Sequence, residues 1–537
     1  MFLRVHQLAL IASVLRRSNK MVLETSARVA ANSGVASLAV KPSPKVTEKS
    51  LEQELSLPVG PVVENYENAV KALNSLQSNY SVLQNSSSRI HSSDSVHIQE
   101  TIKFLERINI SLQKLQHLPA IHISGTKGKG STCSLVESIL RAHGYRTGFF
   151  SSPHLVSVTE RIRLNGVPIG TEKFACYFWK VYNQLLNRRS HSRDLPAYFN
   201  CLTLVAFEVF LRENVDVAII EVGIGGKYDC TNVLRETKTV GITSLGLEHT
   251  ALLGNTLEDI AWQKAGIVKE GSDVFTVSQP GGCLSIIETE CYNKRANLHI
   301  VPDYDSYKWH RRPYLNTNSM ATKMNTSLAI QIALSWIKNT RPELVSRNQI
   351  ILSDKFSQGI ESNFWPGRCH KIRKHNKRIF LDGAHTIESI EVCAKWFQGG
   401  QRKDNPKLLI FNATGDRDVF KLLSHLTKYV HFDAVFFCPN VASQQPMNID
   451  SINLNFPKDQ QIHRCEANLL YWNNLMSQRG TPSRVACVES SVHSVLEQID
   501  NNFSKSQECD ILVTGSLHLI GAVLTALKME SLVLSPS

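Results

Sequence analysis

The stretch that most constrains this chain is "AIHISGTKGKGSTCSLVESILRAHG", residues 120–144. A short apolar run leads into Gly125, Gly128 and Gly130, and apolar residues at helical spacing then run to Gly144, which suits a helix end. Strand, glycine turn and helix in that order form the opening unit of an α/β fold. Backbone N–H groups at such a helix start face a ligand, and the helix dipole favours an anion there. The glycines allow close backbone approach, Lys129 supplies a point charge, and the Ser131 hydroxyl suits Mg²⁺. The spelling departs from the P-loop G-x-x-x-x-G-K-[ST], because Lys129 is followed by Gly130 before Ser131. On spacing alone, a plain strand-to-helix turn with solvated lysines stands beside the phosphate reading.

The same alternation continues along the chain. "TGFFSS", "VDVAIIEVG", "TVGITSLG", "DVFTVS" and "NLHIVP" read as strands, and "LTLVAFEVFLREN" reads as a helix. After "NFWPGR" a second series follows, with strands at "RIFLDGAH", "LLIFNATG", "AVFFCPN", "RVACVES" and "DILVTGS". No second glycine loop of this kind appears in it. The expectation is a P-loop ATPase domain with a mainly parallel sheet over 61–345, then a smaller Rossmann-like α/β domain over 346–537. One nucleotide site is shared between them.

At 537 residues the chain has room for two or three cores, and 42% hydrophobic with 20% charged residues describes a globular protein. The net charge of +12 is scattered, without a long basic run or an aromatic RNA-binding signature, so it fits small polyanionic ligands better than nucleic acid. The 12 cysteines include no C-x-x-C pair, which argues against a zinc ribbon or redox centre and for buried thiols in a reducing compartment. Residues 1–60 read as a leader and a poorly ordered linker. "MFLRVHQLALIASVLRRSNKM" carries Arg4, Arg16, Arg17 and Lys20 with no acid before Glu24, as a mitochondrial transit peptide does. A secretory signal is disfavoured by the two arginines directly after the apolar run, and a plain tail remains the bland alternative. No apolar run approaches the ~20 residues of a membrane span.

Three further positions carry possible chemistry. Glu221 ends a hydrophobic strand before "GIGG", where open α/β sheets bind ligands, and a carboxylate there suits Mg²⁺ or simply caps backbone N–H groups. Glu248 and His249 follow another strand, and Lys264 lies on an amphipathic helix where it could be a solvated charge.

"GTKGKGS", "FFSSPHL", "EVGIGGKYDCTN", "LGLEHTALLGNTLEDIAWQKAGI", "FWPGR", "FLDGAHT", "NATGDRD" and "VTGSLHLIG", in this order, resemble the folylpolyglutamate synthases, animal type, of the Mur ligase superfamily. The resemblance runs from about residue 65 to the C-terminus. It implies an ATP loop across Gly128, Lys129, Gly130 and Ser131, and Mg²⁺ ligands at Ser152, Glu221 and His249. Arg368 and Asp382 come to the nucleotide, Asn325 to the base, and His385 to the reacting groups. Lys264 matches a lysine that is carbamylated in several relatives, and a monovalent cation is a further expected ligand. Glu248 stands where the family usually has Asp, which leaves its role open.

The implied reaction is ATP-dependent. The γ-carboxylate of tetrahydrofolate or its polyglutamates becomes an acyl phosphate, L-glutamate attacks it, and the longer folate is retained in the cell. Expected partners are ATP, reduced folates and L-glutamate, on a monomer. The rivals are a bifunctional dihydrofolate/folylpolyglutamate synthase, a P-loop kinase or ATPase, and a catalytically dead folate-binding protein. The expected address is mitochondrial, with a cytosolic form if translation starts at Met21.

Overall fold

Strands buried on both faces read as unbroken apolar runs, and the central strands here do so. In the computed structural model, β1 (Ala120–Ser124) and β5 (Val217–Glu221) are buried along their whole length. Their side chains alternate between two cores: Ala218 and Ile220 face one, while Val217 and Ile219 face the other with Ile121 and Ile123. The structure describes residues 63–77, 96–344, 351–414, 417–443, 458–480, 483, 485–503 and 507–535. Val63–Ser537 form one compact unit.

The first sheet also holds β2 (Thr147–Phe150), β3 (Ile162–Leu164), β4 (Val167–Pro168), β6 (Thr239–Ile242), β7 (Asp273–Thr276) and β8 (Asn297–Ile300). Its order is β4-β3-β2-β5-β1-β6-β7-β8. β1, β2 and β5 to β8 run parallel, and the β3–β4 hairpin adds an antiparallel edge. A short pair, β9 (Lys308–Trp309) with β10 (Ile351–Leu352), stands apart. The second sheet holds β11 (His370–Lys374), β12 (Lys377–Asp382), β13 (Lys407–Phe411), β14 (Ala434–Phe437), β15 (Val485–Val488) and β16 (Cys509–Thr514). Its order is β11-β12-β16-β13-β14-β15, parallel except for β11. The expected α/β class with two mainly parallel sheets is borne out.

A helix ahead of the second sheet joins the first core, and a loop of the first sheet enters the second core. The helix Asp354–Glu361 packs on the helix Lys129–Ala142, where an added Cβ at Gly359 would lie 2.6 Å from the Ile139 Cα. The loop after β2 places Leu155 and Val156 in the core of the second sheet. All twelve cysteines are free and eight are buried, as the sequence led one to expect. Among the described residues, no helix is long and apolar enough to cross a membrane.

Candidate active site

The glycine loop follows β1, whose neighbours β5 and β6 lie on opposite sides. Strand order reverses around β1, and ligands of open α/β sheets bind beyond the strand ends at such a point. Gly128 caps the helix Lys129–Ala142 in the left-handed region, φ 90°, with no side-chain cap. The first N–H groups of that helix therefore keep their capacity for a bound anion. The loop backbone is pinned by the N–H groups of Thr126 and Lys127, which donate to the Ser244 carbonyl at 3.0 and 3.1 Å. Asn325, on the helix Met320–Thr340, fills the space above Gly128: a Cβ there would lie 2.2 Å from its Oδ1.

Two lysines point at one backbone oxygen. Lys129 Nζ donates to the Gly125 carbonyl at 3.2 Å and Lys264 Nζ at 2.7 Å. Lys264 is only 3% exposed, so it is not a solvated charge. Burial, then the neighbouring Lys129 cation, bring its pKa down to about 7. Gly226 makes this burial feasible, because a Cβ there would lie 2.8 Å from the Gln263 carbonyl oxygen. Only glycine lets the helix Leu257–Ala265 come so close to the loop after β5.

Glu221 ends β5, is 4% exposed and accepts the Ser152 backbone N–H at 3.0 Å. Burial raises its proton affinity, and the Lys129 cation opposes that shift most strongly. Its loop is set by Glu160, which accepts the N–H groups of Leu155, Val156 and Ser157 at 3.1, 2.7 and 2.8 Å. His249 begins the short helix Thr250–Leu253 at φ 54°, within electrostatic reach of Glu248, Lys129 and Lys264. No three His, Cys, Asp or Glu side chains are grouped for a metal among the described residues. One buried carboxylate, beside Gly130 of the loop and the Ser152 backbone, still fits Mg²⁺, an ion that keeps waters and takes phosphate oxygens.

The second sheet contributes from the end of β12. Asp382 accepts the Cys369 N–H at 2.8 Å; burial raises its proton affinity and the nearby Arg368 opposes the rise. Arg368 lies in electrostatic reach of Lys127, Glu221 and His385 as well. His385 holds the Gly383 carbonyl through Nδ1 at 2.7 Å and brings Nε2 to 3.4 Å from both Glu248 Oε1 and Lys127 Nζ. Lys127 Nζ in turn donates to Glu248 Oε1 at 3.0 Å.

The structure thus gathers Gly128, Lys129, Gly130, Glu221, Ser152, His249, Lys264, Arg368, Asp382 and His385 around the glycine loop, with Asn325 over Gly128. The Ser131 side chain, half-buried at the helix start, makes no hydrogen bond given by the structure. Sequence reasoning passed over Lys127, Glu160 and Asp229. Glu160 was legible as the acid of the capping box Ser157-x-x-Glu160. Asp229 was legible as an Asx turn, since its Oδ1 accepts the Thr231 N–H at 3.0 Å. No local signal gave Lys127 its partners.

Known proteins match this arrangement. The profile of the family described as dihydrofolate synthetase, C-terminal domain, matches residues 367–526. The mitochondrial folylpolyglutamate synthase of Bos taurus is 35% identical over 91% of this chain and 97% of its own length. That of Homo sapiens is 40% identical over 78% and 75%. Among solved structures, the apo form of L. casei FPGS gives a TM-score of 0.65 at 22% identity, covering 86% of this chain and all 100% of its own. E. coli FolC in complex with DHPP and ADP gives 0.59 at 22%, covering 84% and 98%. The structures bear on the fold and the curated relatives on the kinship: the chain belongs to the folylpolyglutamate synthase family.

Proposed function

We propose that this ATP-dependent ligase joins L-glutamate to the terminal γ-carboxylate of tetrahydrofolate and its polyglutamates through an acyl phosphate. The observation that carries the reading is one phosphate loop ringed by cations from both sheets, in a chain 35% identical to a named relative over nearly its whole length. A carboxylate resists attack by an amine because oxide is a poor leaving group, whereas phosphate leaves readily. The helix N-terminus and Lys129 bear the charge of the transferring phosphoryl group. Arg368 and Asp382 hold the nucleotide from the second sheet, and Asn325 approaches the base. Ser152, Glu221 and His249 would hold Mg²⁺, which when bound neutralises phosphate charge. Glutamate's amine then forms the C–N bond, its proton passes to Nε2 of His385, and the C–O bond to phosphate breaks. Closure of 346–537 over 61–345 keeps water from the acyl phosphate.

Lys264, with a pKa of about 7, is about half free amine at neutral pH. We read it as carbamylated: Nζ bonds CO₂, a proton leaves to solvent, and a cation becomes an anion beside the loop. We read the active form as a monomer.

Purified protein with tetrahydrofolate, MgATP and labelled glutamate should give folates of stepwise increasing length. ADP release that needs no glutamate would instead mark a kinase or ATPase. Folate binding without turnover would mark a dead binding protein, and glutamate joined to dihydropteroate a bifunctional enzyme.

The relatives from Bos taurus and Homo sapiens are mitochondrial by name. The leader lies outside the described residues. We propose that residues 1–20 direct the chain to mitochondria and that a product starting at Met21 stays cytosolic and active. Import of a reporter fused to the Met21 form would refute this.

A further inference from the structure

Lys127, Glu248 and His385 form a three-way contact whose members come from the glycine loop, the extension of β6 and the end of β12. His385 faces the Gly383 carbonyl with Nδ1, so Nδ1 carries the ring hydrogen and the Nε2 of a neutral ring is an acceptor. It cannot then donate to Glu248. Lys127 is the donor common to both, at 3.0 Å to Glu248 Oε1 and 3.4 Å to Nε2. Its backbone is fixed by the paired bonds to Ser244, and Glu248 follows from the same β6 extension, where Gly246 and Thr126 exchange bonds at 3.1 Å. The backbone of Lys127 is thus held, while its side chain reaches out of the glycine loop to Glu248 and His385.

We propose that Lys127 is a second phosphoryl-binding lysine and that Glu248 is its positioning residue, parking the ammonium group against His385 until a phosphate draws it away. The hand-over couples two events. With ATP absent, Lys127 is charge-paired and Nε2 of His385 is occupied. When Lys127 turns to the γ-phosphoryl group, Nε2 is released to take the proton of the incoming amine. The nucleotide step thereby arms the glutamate step. This rests on the ligase reading for the role of His385, while the parking of Lys127 is testable by nucleotide binding alone.

The probe is AMPPCP, whose γ-phosphoryl group cannot be transferred, titrated calorimetrically against the full chain and its variants, with thermal melts to confirm folding. Lys127→Met should weaken binding about tenfold, the loss of one charge-assisted contact. Glu248→Gln should do the opposite and tighten it several-fold, because Lys127 is no longer held back, while glutamate-dependent kcat falls about tenfold or more for want of an ordered hand-over. In the double variant the Glu248 effect on binding should vanish, since it acts through Lys127. Glu248→Asp, which keeps the charge, should restore most of the wild-type affinity. If Glu248→Gln tightens binding equally in the Lys127→Met background, Glu248 acts only by repelling phosphate and the proposal fails. If Lys127→Met leaves AMPPCP binding unchanged, Lys127 is no phosphoryl ligand and the proposal also fails. Failure of wild-type protein to lengthen folates, with the binding cycle as expected, would overturn the ligase reading and leave the parking intact.

Discussion

Replacing Lys264 with methionine tests the electrostatics of the site through stability. The amine is 3% exposed, and burial with the Lys129 cation lowers its pKa from 10.5 to about 7. Between those two values the unfolded chain holds a proton that the folded chain does not. Stability therefore rises with pH across that window, at about 1.4 kcal/mol per pH unit where the difference is one full proton. At pH 7 the folded group is still about half protonated, so the gain from pH 7 to pH 9 comes to about 2 kcal/mol. Below pH 7 both states hold the proton and the full cost of burying the cation is felt.

Methionine has similar length and no charge. It gives up the bond to the Gly125 carbonyl, worth about 1 kcal/mol at every pH in the window, and removes the titration. The assay is urea unfolding at pH 7, 8 and 9 in CO₂-free buffer, following tryptophan fluorescence. Wild type should gain about 2 kcal/mol more than Lys264→Met between pH 7 and 9, with the variant the more stable protein at pH 7. Other titrating groups cancel in the difference. A wild-type-minus-variant difference that stays flat from pH 7 to 9 would refute the claim that Lys264 is buried as a destabilised cation.

Four other variants probe the loop and the proposed metal position. Lys129→Ala should lower kcat/KM about 100-fold or more while the fold persists, because among the described residues the hydrogen bond of its side chain is the 3.2 Å bond to Gly125; unchanged ATP dependence would refute its role. Gly128→Ala forces a side chain onto φ 90° and a Cβ within 2.2 Å of the Asn325 Oδ1, so AMPPCP binding should weaken by at least the ~1–2 kcal/mol of left-handed strain, and unaltered calorimetric affinity would sink this account. Glu221→Gln keeps the volume and removes the buried charge; it should lower the rate about 100-fold and raise the Mg²⁺ needed for half-maximal rate, with His249→Ala acting on the same step, whereas a wild-type Mg²⁺ titration would remove that residue from the metal site.

The sequence made the central strands legible because burial on both faces leaves an unbroken apolar run, as in "VAIIE" and "DILVT". The edges were harder to read. β3 and β4 are three and two residues long, joined by Asn165 and Gly166 at φ 51° and 81°, and β11, "HKIRK", holds a single apolar residue, Ile372. The glycine loop was legible as chemistry, but its charges were not legible as partners. Lys127 and Glu248 are 121 residues apart, and Lys127 and His385 are 258 apart, so topology alone decides that they meet. Lys264 shows the same limit within one helix. Its amphipathic pattern is compatible with a solvent-facing lysine, and what turns it inward is the missing side chain of Gly226, some forty residues earlier.

Topology likewise crowds four cations around one loop. Lys127, Lys129, Lys264 and Arg368 stand close enough to disfavour one another, and the carboxylates Glu221, Glu248, Asp229 and Asp382 offset them. Lys129 lowers the proton affinity of both Lys127 and Lys264, and Arg368 lowers that of Lys127 and His385. A fold that excluded water from such a cluster without an anion would lose stability with every cation buried. The arrangement is tolerable because Lys127 and Lys129 keep part of their surface in solvent, and it becomes favourable when a polyphosphate replaces that solvent. The preference for ATP over a neutral ligand therefore resides less in any one contact than in the crowding of cations around the loop.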